Sequence, residues 1–173
     1  VLDPYQVERD PHVRAVIGAA VEACRYICEL DPDRAAARDL AMRTQARARD
    51  GETAHDLIPA IRTGIVDAAS EAAGERFSQP IMDDGRKLDD VTGASWRLFV
   101  RSDDVPGISR GVARIDASRL ADAGAVLQWM DACGVDAVLV RPDHYVFGTA
   151  RSSAVPLLDL RKRLLGFRES IAA

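Results

Sequence analysis

The sequence is poor in the residues that usually announce a chemical site. Of its 173 residues only 5% are aromatic, and three are cysteines: Cys24, Cys28 and Cys133. No Cys-x-x-Cys and no histidine pair is present, so the four ligands of a structural zinc are missing and no metal site is expected. An odd cysteine count without a leader points to a reducing compartment, and we expect a cytoplasmic protein. No apolar run approaches the ~20 residues that span a bilayer, so no membrane partner is expected. Neither G-x-G-x-x-G nor G-x-x-x-x-G-K-[ST] occurs, which removes the familiar phosphate cradles. Lysine is almost absent: Lys87 and Lys162 are the only two among 23 basic residues. With the abundant alanine, that bias fits a GC-rich bacterial genome. The 27 acidic residues bring the net charge to −4 with both signs interspersed, so no field invites nucleic acid. The chain begins at Val1 rather than Met, and we expect it to be a piece of a longer protein.

What is present reads as an α/β (α+β) chain. Asp-Pro occurs at Asp3-Pro4, Asp10-Pro11 and Asp31-Pro32. Asp is a good N-cap and Pro is tolerated at the first helical position, so each pair can open a helix. Pro11 can also sit as a kink in a helix begun at Pro4. Val13, Val16, Ile17, Ala20, Val21, Cys24, Ile27 and Cys28 recur at helical spacing and form an apolar stripe. A second, Ala- and Arg-rich helix is expected from Pro32 to about Arg49. Residues 51–93 are punctuated by Gly and Pro and read mostly as loop, with a short helix over Ile65–Ala73. From Ser95 the expected order is strand, strand, helix, strand, strand, helix. The strands are Trp96–Val100, Val112–Ile115, Val135–Val140 and His144–Thr149. Ser118 should cap the intervening helix and Gly134 should end it, while Ser153 opens the last one.

Each candidate site has a structural explanation. Cβ atoms at positions 24 and 28 of a helix lie about 5–6 Å apart. A relaxed disulfide needs about 3.8 Å. Both cysteines fall on the apolar stripe and are expected in the core. His12, His55 and His144 have no Ser or Cys partner in a recognisable motif. Arg141-Pro142-Asp143-His144-Tyr145 is the densest polar cluster. Arg141 could hold a carboxylate or phosphate. Turn chemistry explains the same residues: Pro142 presets φ and Asp143 bonds its own backbone.

Three segments resemble one family. Leu2-Asp3-Pro4-Tyr5-Gln6-Val7-Glu8-Arg9-Asp10-Pro11-His12 resembles the Leu-Asp-x-Tyr-x-x-Glu-Arg-x-Pro-His helix near the end of the FAD domain in flavin-dependent aromatic hydroxylases. Phe77-Ser78-Gln79-Pro80 with Leu88-Asp89-Asp90-Val91-Thr92-Gly93 is similar to the stretch that follows it. Val138-Leu139-Val140-Arg141-Pro142-Asp143-His144-Tyr145-Val146 resembles their C-terminal hairpin, whose structural turn would be Arg141, Pro142, Asp143 and Tyr145. The 3-(3-hydroxyphenyl)propionate hydroxylases are the nearest in pattern, with the phenol hydroxylase type beside them. Gly51-Glu52-Thr53-Ala54-His55 imitates a flavin-contact signature, but on the wrong side of the Tyr-x-x-Glu-Arg helix.

The resemblance implies a parent monooxygenase using FAD and NAD(P)H, with neither cofactor bound to this segment. It implies residues 1–50 as a helical end of the FAD domain, 51–93 as an irregular linker and 94–173 as a thioredoxin-like domain. That domain lacks the redox pair, since no Cys lies between Val100 and Val112. No catalytic residue is expected here. The implied partners are the missing N-terminal FAD and substrate domains, with a homodimer as a further expectation. The alternative is a stand-alone thioredoxin-like module for binding or dimerisation, without redox activity.

Overall fold

The structure is a computed structural model that describes residues 3–48, 58–70, 72–101 and 111–151. Contacts group the chain into two units, Arg9–Pro59 and Val1–Glu8 with Ala60–Ala173.

The Arg9–Pro59 unit holds most of α1 (Asp3–Ile27) and all of α2 (Pro32–Ala48). Asp31 opens α2 as its sequence suggests. Its Oδ1 accepts from the backbone N–H groups of Asp33 and Arg34, both at 3.0 Å, and Pro32 follows where no N–H is needed. Asp10-Pro11 opens nothing, because α1 runs straight through it. Asp10 instead pairs with Arg14 one turn on, at 2.9 Å. His12 donates from Nε2 to the carbonyl of Pro59 at 2.9 Å and is buried.

The apolar stripe of α1 is not core. Val13, Val16, Ile17, Val21 and Ile27 are exposed, and so are Cys24 and Cys28, contrary to the sequence expectation. Helical amphipathicity marks a face that favours burial, and none of the described elements buries this one. Leu40 of α2 is exposed as well.

The other unit is built on a four-stranded sheet of β1 (Trp96–Val100), β2 (Val112–Asp116), β3 (Ala137–Val140) and β4 (Val146–Ala150). The order is β2-β1-β3-β4, with β1 parallel to β2 and antiparallel to β3, and β3 antiparallel to β4. β1 and β3 are buried on both faces, which explains their unbroken apolar runs. On one face Phe99, Val138, Val140 and Val146 meet Phe77, Leu88 and the apolar side of α4 (Ala123–Ala132). Phe77 is wedged between Phe99 and Trp129, with ring centroids at 4.7 and 5.2 Å. On the other face lie Leu98, Val100, Leu139 and Phe147, with Trp96 edge-on to Phe147.

α4 ends as foreseen. Gly134 has φ +62°, and the N–H groups of Gly134 and Val135 return to the carbonyls of Asp131 and Met130. Its start differs. Residues Ala117–Arg119 form a 3₁₀ turn capped by Asp116, whose carboxylate accepts from the Ser118 N–H, and the helix begins only at Ala123. Among the described residues the remaining α-helix is the short α3 (Leu88–Thr92), in a segment otherwise of turns.

The helix expected over 65–73 is absent among the described residues there, which form bends and turns. Asp67 donates its N–H to Phe147 O, and its carboxylate folds the chain back through the Ala69 N–H and Ser70 Oγ. Gly74 and Glu75 then bond Val146. Pairing along β4 overrides local helix preference. The final helix expected after Ser153 lies outside the described residues.

Candidate functional site at the Arg141 hairpin

The turn between β3 and β4 is closed by Arg141 N–H to Tyr145 O at 2.8 Å and His144 N–H to Arg141 O at 3.1 Å. Pro142 supplies a fixed φ, and His144 takes the left-handed conformation at φ +65°, unusual for a non-glycine residue. This geometry drops Arg141 inward rather than into solvent. Its side chain is only 9% exposed.

All five N–H donors of Arg141 are used. Nη1 and Nη2 grip the two oxygens of Glu8, each at 2.7 Å. Nη1 also donates to Ile65 O at 3.0 Å. Nε and Nη2 take the two oxygens of Asp143 at 3.0 and 2.7 Å. Asp143 therefore spends its carboxylate on Arg141, where the sequence suggested a bond to its own backbone. Glu8 Oε2 accepts further from the Ile65 N–H at 2.8 Å. Burial pulls the guanidinium pKa down, but the hydrogen bonds and charges of Glu8 and Asp143 outweigh it and hold it above its ordinary value. Gly64 makes the approach possible. It has φ +84°, and a Cβ there would stand 2.5 Å from that of Glu8.

The start of α1 is fixed at a second point. Pro11 has no N–H to give to the carbonyl of Val7, four residues before it. The hydroxyl of Thr63 donates to that carbonyl instead, at 2.7 Å.

A second cluster lies one residue on. Arg97 is buried on the Phe99 side of β1. It donates to Thr92 Oγ1 at 2.9 Å, to Gly93 O at 2.7 Å and to Asp89 Oδ1. Asp89 Oδ2 also meets Gln79 Nε2 at 2.6 Å and His144 Nε2 at 3.0 Å. A carboxylate only accepts, so the His144 proton sits on Nε2. Tyr145 packs against the Ile61, Val66 and Ala73 cluster.

The three resemblance motifs thus converge. Glu8 of the first and Asp89 of the second both reach the third, at Arg141 and His144. Sequence reasoning placed Arg141, Pro142, Asp143 and Tyr145 in one turn, and they are together. It missed Glu8, Asp89 and Arg97 as partners. The available signal was a charged residue, Arg97, inside an otherwise apolar strand. His55 and the segment 51–57 lie outside the described residues.

The arrangement suits holding the chain together more than binding a ligand. Arg141 has no donor left for an incoming phosphate or carboxylate, and Arg97 has committed Nε and Nη2 to Thr92, Gly93 and Asp89. Among the described residues no cluster of three or more metal-ligating side chains occurs. No described helix is long and apolar enough to cross a membrane.

No protein-family model matches the chain. Over 95% of its length it is 30% identical to the probable NADH-specific resorcinol 4-hydroxylase of Rhodococcus jostii (strain RHA1), covering 34% of that protein. Its fold is shared with part of the aklavinone-11 hydroxylase solved with FAD and aklavinone, at TM-score 0.58 and 16% identity over 96% of this chain and 35% of that one. It is shared equally with part of RebC soaked with K252c, at TM-score 0.57 and 22% identity over 96% and 36% of the two chains. The anhydrotetracycline hydroxylase OxyS from Streptomyces rimosus matches at TM-score 0.55 and 20% identity over 89% and 34%. The chain spans about a third of the length of each of these proteins. In sequence it is similar to part of a resorcinol hydroxylase, and in fold to part of further hydroxylases, which agrees with the resemblance its three motifs carry to the flavin-dependent aromatic hydroxylases.

Proposed function

We propose that the chain is the C-terminal region of an FAD-dependent, NAD(P)H-using aromatic-ring monooxygenase, and that it serves the parent structurally. The observation that carries this reading is the match to a resorcinol hydroxylase over nearly all of this chain but a third of the relative. FAD and NAD(P)H are assigned to the remainder of the parent. A flavin-free segment is supported by Arg141, whose donors all go to Glu8, Asp143 and Ile65 O.

The partner of the segment is that remainder, the FAD and substrate domains. The exposed apolar stripe of α1 (Val13, Ile17, Val21) supports a covering surface of this kind. The region after Ser95 is read as thioredoxin-like. Supporting it is the β2-β1-β3-β4 order, with only the β1–β2 pair parallel. Without a Cys between Val100 and Val112 it carries no thiol–disulfide activity. A stand-alone module, dimerising through α1, is the second reading, favoured by the same uncovered stripe. A cytoplasmic location is supported by the exposed free thiols of Cys24 and Cys28.

Titration of the 173-residue chain with FAD tests the assignment. No saturable flavin binding is expected, and restored flavin binding and hydroxylation of a phenolic substrate are expected once the rest of the parent is joined to it. Tight, stoichiometric FAD binding by the chain alone would overturn it. So would an upstream reading frame lacking a dinucleotide fingerprint.

A further inference from the structure

Cys24 and Cys28 are both free and exposed, and the reading above gives them no chemical role. The Cys28 N–H bonds the Cys24 carbonyl at 2.8 Å, so the helical turn carries on one residue past Ile27, and residues four apart on such a turn share a face. The Cβ atoms of such a pair stand about 5–6 Å apart, too wide for direct S–S closure at about 3.8 Å. Two metal–sulfur bonds of about 2.3 Å each bridge that gap without unwinding the helix. Among the described residues no third His, Cys, Asp or Glu groups with them. Two soft sulfurs without a third donor select a soft ion content with two-fold coordination.

We infer that Cys24 and Cys28 form a chelating dithiol for one soft, two-coordinate cation of the Cu(I) class. On binding, each thiol releases its proton to solvent and each sulfur donates an electron pair to the ion. No electron changes hands. The resulting bis-thiolate complex carries one negative charge. Because two protons leave, affinity falls as the pH is lowered. Chelation by two tethered thiols exceeds capture by either one by about 10²-fold or more.

The test is anaerobic titration of the 173-residue chain with Cu(I) held by a chromogenic competitor, with sedimentation alongside. One Cu(I) per monomer is expected, with Cys24→Ser and Cys28→Ser each weakening binding by about 10²-fold or more and Cys133→Ser leaving it unchanged. A double variant, Tyr26→Cys with Cys28→Tyr, keeps the thiol count but moves the pair to i, i+2 on opposite faces, and is expected to lose the site. Equal affinity in that double variant would overturn the inference. One ion bridging two chains would overturn it too, as would binding that follows Cys133. All substitutions are at exposed positions apart from Cys133, and circular dichroism checks that helix content is kept.

Discussion

Glu8 and Arg141, 133 residues apart in sequence, face each other through two parallel N–H···O bonds of 2.7 Å in a buried setting. Breaking one side of such a pair leaves the other charge buried and unpaired, which costs about 3–5 kcal/mol. Arg141→Met or Glu8→Gln alone should therefore destabilise strongly. The combination Glu8→Leu with Arg141→Met should recover much of the loss. Arg141→Lys should not, because an ammonium lacks the fork that meets both oxygens of Glu8. Urea unfolding of the four-member cycle decides it: strictly additive effects would refute the pairing as an energetic unit.

Thr63 and Pro11 form a different kind of pair, one supplying the hydrogen bond the other withholds. Thr63→Val should cost about 1 kcal/mol, the worth of a hydrogen bond to a carbonyl. In a Pro11→Ala background the helix regains its own N–H for Val7 O, and the cost of Thr63→Val should shrink. An unchanged cost in both backgrounds would show that Thr63 acts by some other contact.

Gly74 and Gly85 share the left-handed conformation, at φ +78° and +83°, but not its surroundings. A Cβ at Gly85 meets nothing within 4 Å, whereas at Gly74 it falls 1.6 Å from Ile61 O. Gly85→Ala should cost the conformational strain alone, about 1–2 kcal/mol. Gly74→Ala should cost clearly more and loosen the Ile61 N–H to Gly74 O bond, seen as faster amide exchange at Ile61. Equal melting temperatures for the two variants would contradict this.

The carboxyl of Asp116 is held below the usual range, chiefly by the Ser118 hydroxyl at 2.6 Å, with the Ser118 N–H assisting against desolvation. A depressed folded pKa means stability that is whole above the unfolded value near 3.9. It is lost as the pH falls through the folded one. The site is solvent-facing, so the gain is small, under about 1 kcal/mol. Ser118→Ala should lower stability at pH 7, and its gap from the native chain should close below about pH 4. A gap that widens in acid would reverse the assigned sign.

Local signals were readable in the sequence because they act locally. Asp31 caps α2 by reaching two and three residues ahead. Gly134 ends α4 because only the residues beside it need satisfying. The alternation of strands and α4 followed from apolar runs that the sheet buries on both faces. The hub around Arg141 was half legible. Its turn is a five-residue affair, but Glu8 is a long-range partner with no periodicity to betray it. Residues 65–70 misled because helix-compatible composition lost to backbone pairing with β4. The α1 stripe misled in the other direction: amphipathicity records that a face wants covering, and α2 does not cover it.

The pairing of Asp67, Gly74 and Glu75 with β4 has one more consequence. Val146 and Phe147 give their outward backbone groups to Asp67, Gly74 and Glu75, so that margin of the sheet is already spoken for. A foreign strand, whether from a swapped neighbour or a growing fibril, would find no ladder to join there without first peeling this segment away. The seemingly idle loop is a guard against self-association along that rim.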